Sequence, residues 1–299
     1  MMSQSQGPRI GLALGSGSAR GWAHVGVIHA LEEAGIRPDV VCGTSIGALV
    51  GAAYAAGEIE RFSNWVQGLR LADVIAFLDV KFFGGLIQGE RLMDFFRRNF
   101  VDRPVEALAI PFGAVATELA SGNEVWLREG STMDAVRASI ALPGLFTPVA
   151  RDGHLLVDGG LVNPVPVSLA RAMGADVVIA VDLLVDVLGR HLRRRRKSAR
   201  EGEVSAWLTR LQARLSEFIP RNGQTLPSVL DVVASSINIM QVRIARSRMA
   251  GEPPDAVVAP RLAHLGLMEF HRGREAIEEG RRAVKAALPQ IREALESWG

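Results

Sequence analysis

The feature of the sequence that most restricts the fold is an uncharged, strongly apolar segment, residues 40–57 (VVCGTSIGALVGAAYAAG). Such a segment avoids water either inside a membrane or inside a protein core. Four glycines and the polar pair Thr44-Ser45 interrupt it, and Asp39 and Glu58 flank it directly. These breaks favour a buried strand, a tight turn and a buried helix over a membrane span.

Strand and helix signals alternate through the first half of the chain. Residues 9–14 and 40–42 are apolar enough for buried strands, and residues 22–34 and 46–56 have the pattern of helices. This alternation is typical of a mostly parallel sheet covered by helices on both faces. We therefore predict an α/β fold, a three-layer α/β/α sandwich with a mostly parallel central sheet and C-terminal helices packed on its core.

The domain prediction is one unit over residues 1–299, with its core at about residues 8–185. Residues 190–225 are interpreted as a basic mobile loop followed by an amphipathic helix, and residues 226–299 as the C-terminal helical part of the same domain. The further predicted strands are 112–117, 124–127, 155–157 and 177–181, and the further predicted helices are 132–142 and 167–173.

Composition argues against several classes of protein. The formal net charge is +2, so nucleic acid is not an expected partner. Cys42 is the single cysteine, which excludes an intramolecular disulfide, and no Cys/His spacing suits a structural zinc site. The first residues lack the basic region, long apolar run and cleavage site of a signal peptide. The predicted compartment is therefore the cytoplasm.

A dense positive run, residues 190–200 (RHLRRRRKSAR), marks the main shift in composition. Its like charges repel one another and it has little to bury, so a solvated loop is the simpler interpretation. Docking on anionic lipid headgroups, with peripheral contact at the inner face of the membrane, is the alternative. The residues that would make this contact are Arg193, Arg194, Arg195, Arg196 and Lys197.

The turn inside the apolar segment carries the main chemical signal. Gly43-Thr44-Ser45-Ile46-Gly47 matches G-x-S-x-G between a predicted strand and an alanine-rich helix. A serine in this context occupies a strained strand-to-helix turn, and the two glycines remove side chains that would clash with the neighbouring backbone. The helix that begins at Ile46 directs free N–H groups toward the charge that develops during attack. Ser45 is therefore the candidate nucleophile, and Gly43 and Gly47 complete its elbow.

A second glycine-rich segment, residues 15–21 (GSGSARG), follows the first predicted strand. A dinucleotide-binding loop also has spaced glycines at this junction, but it requires an acidic residue near the end of the second strand, where this chain has CGTS. We favour an oxyanion hole, in which small residues let backbone N–H groups, chiefly those of Gly17 and Ser18, approach a substrate carbonyl. Nucleotide binding remains the alternative.

The general base is harder to assign from the residues. An ordinary α/β-hydrolase has several strands before its elbow and a histidine last in the triad, whereas Ser45 follows the second strand. None of the six histidines has a context that marks it as a base. His154 shares a strand face with Asp158 but lies roughly 13 Å from it along the strand, so we assign it to a hairpin. Asp158, followed by two glycines, is either a turn aspartate or the base.

Together, the motifs at residues 15–21, 43–47 and 158–160 resemble the patatin-like phospholipase family, whose pattern is G-x-G-x-x-R-G, G-x-S-x-G and D-G-G or D-G-A. The resemblance extends to residues 138–144 (ASIALPG) and 163–166 (NPVP), and nearly the whole chain is similar to the bacterial RssA-type subgroup. It implies a Ser/Asp dyad without histidine, hydrolysis of acyl esters, and no metal or other cofactor.

The resemblance also implies a role for each motif residue. Asp158 accepts the proton of Ser45, an acyl-enzyme forms on Ser45, and water activated by Asp158 releases the acid. The implied oxyanion-hole residues are Ser16, Gly17, Ser18 and Arg20, with Arg20 ordering the loop. The family often has glycines where this chain has Ser16 and Ser18, and their β-carbons would constrict or re-aim the N–H donors, so the departure bears on substrate range.

The expected activity is hydrolysis of lipid or lipid-like carboxylic esters. The alternative is a lipid-binding or regulatory protein of low turnover that keeps the same fold. Five apolar residues are candidates for an acyl-binding groove, with core packing as the other interpretation: Phe77, Phe82, Phe83, Leu86 and Ile87.

Overall fold

The computed structural model describes residues 7–77, 89–100, 103–186 and 229–298. The predicted basic loop and amphipathic helix, including Arg193, Arg194, Arg195, Arg196 and Lys197, lie outside these ranges. The strands are β1 (Ile10–Leu14), β2 (Val40–Thr44), β3 (Phe112–Glu118), β4 (Glu124–Leu127), β5 (Val149–Arg151), β6 (His154–Asp158), β7 (Val177–Val181) and β8 (Ala256–Val258). The α-helices are α1 (Ala23–Glu33), α2 (Ile46–Ala55), α3 (Ile59–Gly68), α4 (Leu71–Phe77), α5 (Glu90–Asn99), α6 (Thr132–Ser139), α7 (Val167–Ala172), α8 (Val229–Gly251) and α9 (Gly273–Glu296).

The described strands form one mixed sheet in the order β5-β6-β3-β2-β1-β7-β8, with β4 also paired to β3. Within this order, the segment β3-β2-β1-β7-β8 is parallel throughout. The pairs that β3 forms with β4 and β6, and that β5 forms with β6, are antiparallel. The antiparallel part lies at one end of the sheet, beyond the turn that carries Ser45.

Helices cover both faces of the sheet. On β1, Leu12 and Leu14 belong to the large apolar cluster that includes residues of α1, α2, α6 and α9. Ala13 points the opposite way and packs in a second cluster with residues of α7 and with Ala245 of α8. Since successive strand residues face opposite sides, these two clusters are the two interfaces of a three-layer sandwich. The predicted α/β/α class is confirmed.

The C-terminal helix α9 packs closely on α1. A β-carbon at Gly26 of α1 would lie 1.8 Å from the carbonyl oxygen of Ile277, and one at Gly280 of α9 would lie 2.0 Å from that of Ala23. Glycine is therefore required on both helices for their backbones to approach this closely. This contact confirms that C-terminal helices pack on the core, whereas the extent of one domain over 1–299 stays a prediction.

Several helix boundaries differ from the predictions, and two of the differences have a local cause. The helix expected over 132–142 ends at Ser139, because Leu142 precedes Pro143, and a residue before proline is disfavoured in helical conformation. The helix expected from residue 22 begins at Ala23, after a short 3₁₀ turn, Ser18–Trp22, that belongs to the glycine-rich loop. In the described part of the chain, no helix combines the length and apolar character needed to cross a membrane.

Candidate active site

Ser45 occupies the sharp turn between β2 and α2. Its backbone has φ 57° and ψ −125°, a conformation that side-chain-bearing residues rarely adopt. A β-carbon at Gly43 would lie 2.4 Å from the nitrogen of Ala48, and one at Gly47 would lie 2.2 Å from the carbonyl oxygen of Leu14. The turn therefore has room for a side chain at Ser45 but not at either flanking glycine.

Ser45 Oγ donates a hydrogen bond of 2.6 Å to Asp158 Oδ2. The two side chains meet because β2 and β6 lie end to end along one edge of β3. Thr44, at the end of β2, pairs with Val115, and Asp158, at the end of β6, pairs with the next residue of β3, Ala116. Strand β4 occupies the opposite edge of β3 at these same positions. The serine and the carboxylate thus face each other across the junction of two strands.

Asp158 is almost completely buried, and each of its carboxylate oxygens has a separate partner. Oδ2 accepts the hydrogen bond from Ser45, and Oδ1 accepts one of 2.7 Å from the N–H of Gly160. Asp158 therefore also has the geometry of a turn aspartate. Burial raises the pKa of Asp158 to about 6, and the hydrogen bonds from Ser45 and Gly160 oppose this shift.

Ser139, at the end of α6, holds the backbone of the turn. Its hydroxyl accepts a hydrogen bond of 2.9 Å from the N–H of Ser45 and donates one of 2.6 Å to the carbonyl oxygen of Val115. The side chain is fully buried, so both bonds are shielded from water. We did not predict this role for Ser139, although it lies within residues 138–144, one of the stretches that carried the family resemblance.

The glycine-rich loop lies beside Ser45, and its N–H groups fall into two sets. The N–H of Ser16 donates to the carbonyl oxygen of Pro164 at 2.8 Å, so this group is already bonded. The N–H groups of Gly17 and Ser18 form no hydrogen bond with the described residues. Ser18 has φ 51°, in the left-handed region that favours glycine, and Ser16 Oγ donates to Gln241 Oε1 at 3.3 Å.

Two buried side chains, those of Arg20 in the loop and His24 of α1, form hydrogen bonds with backbone carbonyl oxygens. The fully buried Arg20 donates from Nε to the carbonyl oxygen of Leu265 at 3.2 Å, and burial lowers its pKa to about 10. His24 Nε2 lies 2.7 Å from the carbonyl oxygen of Gly15, and burial lowers the pKa of its imidazole to about 4. A neutral His24 therefore donates to Gly15. Arg20 is not among the described residues that line the cavity at Ser45, and its role in ordering the oxyanion loop stays a prediction.

A cavity lined mostly by apolar side chains opens at Ser45. Among the described residues, its polar lining consists of the loop, the serine and carboxylate pair, and Asn238 and Gln241 of α8. The apolar lining includes Trp22, Leu49, Trp65, Phe96, Leu142 and Phe146. These residues were not predicted to line a site. Of the predicted acyl-groove residues, Phe82, Phe83, Leu86, Ile87 and the side chain of Phe77 lie outside the described residues.

The remaining candidate residues do not join this site. His154 lies in the hairpin of β5 and β6, and its imidazole is exposed. Its Nδ1 lies 2.5 Å from Glu118 Oε1. Within the described ranges, no group of three or more His, Cys, Asp or Glu residues is arranged to hold a metal ion. The serine and carboxylate pair is thus surrounded by backbone donors, neutral polar groups and apolar side chains.

Known proteins are similar to this chain over the region that contains these site residues. Residues 12–171 match the family model described as patatin-like phospholipase. An uncharacterized NTE family protein of Mycobacterium tuberculosis is 32% identical, over 95% of this chain and 92% of its own length. Patatin-like phospholipase domain-containing protein 6 of Homo sapiens is 38% identical, over 59% of this chain and 13% of its own length.

Among solved structures, VipD from Legionella pneumophila superposes with a TM-score of 0.55 at 16% identity. The similarity covers 98% of this chain and 67% of the VipD chain, and at this identity it shows the shared fold alone. The family match spans the glycine-rich loop, the elbow and Asp158, and a relative of similar length aligns over nearly the whole chain. The chain belongs to the patatin-like phospholipase family.

Proposed function

We propose that this protein hydrolyses lipid or lipid-like carboxylic esters, with Ser45 as the nucleophile and Asp158 as the general base. The observation that carries the proposal is the 2.6 Å hydrogen bond from Ser45 Oγ to Asp158 Oδ2 at the wall of an apolar cavity. An apolar wall suits an acyl chain, because burial of hydrocarbon supplies binding energy. The family, described as patatin-like phospholipases, supports a lipid substrate.

In the acylation step, Ser45 Oγ bonds to the ester carbonyl carbon while its proton passes to Asp158. The carbonyl oxygen becomes an oxyanion, and the N–H groups of Gly17 and Ser18, which have no partner in the described part of the chain, are the donors proposed to stabilise it. The first turn of α2 adds N–H groups that have no partner within the helix. When the carbon–oxygen ester bond breaks, the alcohol leaves with the proton from Asp158.

In the deacylation step, Asp158 is again a carboxylate and accepts a proton from water as the water oxygen attacks the acyl carbon. The bond to Ser45 Oγ then breaks, the proton returns to Ser45, and the free acid leaves. A base with a pKa of about 6 is well matched to this task, because it is mostly ionised near neutral pH yet accepts protons better than an ordinary aspartate.

Three predictions from the sequence are part of the proposal, and no observation described above tests them. They are the RssA-type subgroup, a cytoplasmic location, and membrane contact through the basic run of residues 190–200. The low-turnover lipid-binding alternative has the same fold and the same cavity, so it is separated from the enzyme by activity alone.

The deciding experiment is labelling with a fluorophosphonate probe, which reacts with an activated serine. We expect the wild type to be modified on the peptide that contains Ser45, and Ser45→Ala to be unlabelled. Ser63→Ala is the matched control, since Ser63 is also a buried serine but does not line the cavity. A labelled protein that hydrolyses no member of a lipid-ester panel supports the low-turnover alternative, and an unlabelled wild type rejects the proposed nucleophile.

A further inference from the structure

Two neutral amide side chains of α8 line the cavity near the serine and carboxylate pair. Asn238 and Gln241 lie one helical turn apart and are exposed by only 7% and 5%. Neighbours at Ile239 and Met240 are each exposed by 49% and point away from the protein. The same face of the helix buries Val242 and Ala245, so the two amides are polar positions within an otherwise apolar buried face.

Gln241 lies between the two glycine-containing motifs of the site. Its Oε1 accepts a hydrogen bond of 3.3 Å from Ser16 Oγ in the first loop. Its Nε2 is so close to Gly160 that a β-carbon there would approach it to 2.4 Å. Because Gly160 also donates to Asp158, Gln241 is one residue removed from the carboxylate.

Both amides retain unused hydrogen-bonding groups. The side chain of Asn238 forms no hydrogen bond with the described residues. Gln241 accepts one at Oε1, and its Nε2 group donates to none of the described residues. Groups of this kind in an otherwise apolar wall are expected to bind a polar portion of a ligand.

An ester has two ends, and the cavity has two kinds of lining. The aromatic and aliphatic wall, which includes Trp65 and Phe96, suits the hydrocarbon of the acyl group. The amides of Asn238 and Gln241 can both donate and accept, which matches a hydroxyl group. An alcohol portion with a free hydroxyl would therefore be placed at α8, beside the serine that it leaves.

We propose that Asn238 and Gln241 are specificity-determining residues that bind the alcohol portion of the ester through its hydroxyl groups. This inference rests on the proposed ester hydrolysis at Ser45. It predicts that an acyl ester of glycerol is favoured over the methyl ester of the same acid, and that the two amides supply this preference. Neither residue takes part in proton transfer.

The test compares kcat/KM for 1-octanoylglycerol and methyl octanoate in the full-length protein. Asn238→Leu and Gln241→Leu keep similar side-chain volume and remove the amide. Each is expected to lower the ratio of glycerol-ester to methyl-ester kcat/KM by about tenfold, the effect of losing one net hydrogen bond of about 1.4 kcal/mol. Met240→Leu, on the exposed side of the same helix, is the matched control and should leave the ratio at the wild-type value.

A wild-type ratio in both amide variants overturns the inference, because the amides then make no contact that distinguishes the two esters. If Asn238→Leu does not fold, Asn238→Ala makes the same comparison with a smaller side chain that also lacks a hydrogen-bonding group, and the same loss is expected. Fluorophosphonate labelling of Ser45 in each variant separates this result from failure of the proposed function. A wild type that is neither labelled nor active on methyl octanoate rejects ester hydrolysis itself, whereas labelled variants with an unchanged ratio reject only the role of α8.

Discussion

Ser45 Oγ donates to Asp158 Oδ2 at 2.6 Å although 113 positions separate the two residues. The contact depends on β3, which pairs with Thr44 at Val115 and with Asp158 at Ala116. A slip of one residue in either pairing would reverse which side of the sheet the side chain faces. The geometry of the pair is therefore a property of the sheet register and not of either loop alone.

The first prediction concerns backbone strain at Ser45. Ser45→Ala and Ser45→Gly should both lose activity by about 10⁴-fold or more, because both remove the nucleophile. They should differ in stability, since φ 57° and ψ −125° suit glycine far better than alanine. We expect Ser45→Gly to be more stable than Ser45→Ala by about 1 kcal/mol in urea unfolding, the lower end of the cost of such conformations. Equal stability of the two variants would show that the turn stores no strain.

The second prediction is the acid limb of the pH profile. Asp158 must be ionised to accept a proton, and burial raises its pKa to about 6. The wild-type kcat/KM should therefore rise as pH increases through about 6 and level off above it. The measurement is ester hydrolysis in buffers from about pH 5 to about pH 8, with folding checked at each pH. A flat profile over this range argues against Asp158 as the base.

The third prediction is that Asp158→Asn is inactive yet more stable than the wild type at neutral pH. The folded pKa of Asp158, about 6, exceeds its ordinary value of 3.8, so the buried charge destabilises the folded state above pH 6. This cost is relieved as pH falls through the folded pKa toward 3.8. Asparagine has no charge to bury, and its Oδ1 can still accept from Gly160. A lower thermal midpoint for Asp158→Asn at neutral pH contradicts this account.

The local parts of the site could be predicted from the sequence because their signals are local. The G-x-S-x-G turn at Ser45 lies between β2 and α2, as predicted, and the loop that contains Gly17 follows β1. Asp158, by contrast, was ambiguous between a turn and a base from its own surroundings. Neither segment has a sequence signal that specifies the register between distant strands. The contact of Asp158 with Ser45 was therefore implied by the family resemblance and not by the residues themselves.

The lining of the cavity could not be predicted, since it is assembled from distant helices. Phe96 of α5 and Gln241 of α8 reach the cavity through tertiary packing, and Ser139 of α6 reaches the turn at Ser45 in the same way. Apolar residues at helical spacing identify a buried face but not which neighbour that face contacts. The contact of the Arg20 guanidinium with Leu265 could not be predicted for the same reason, because it joins distant segments of the chain.

The fourth prediction tests Ser139 as a positioning residue. Ser139→Ala leaves the N–H of Ser45 and the carbonyl oxygen of Val115 without their partner, at a cost of about 1–3 kcal/mol in stability. We expect fluorophosphonate labelling of Ser45 to slow by about tenfold, because the turn that presents its hydroxyl is no longer held. Ser63→Ala removes another buried serine hydroxyl away from the cavity and should label at the wild-type rate. Equal rates in the two variants would leave Ser139 with a role in stability alone.

The last prediction concerns the buried side chain of His24, which donates a hydrogen bond to the carbonyl oxygen of Gly15. Its folded pKa of about 4 lies below its ordinary value of 6.5, so the neutral form stabilises the fold above pH 6.5 and that contribution is lost as pH falls toward 4. His24→Gln keeps an N–H donor but cannot titrate. Its unfolding free energy should therefore decline less than that of the wild type between pH 6.5 and 4. Asp158 titrates in the same window with the opposite effect, but it is present in both proteins and cancels in the comparison. Parallel pH dependence of the two unfolding free energies would mean that His24 is not held neutral by its burial.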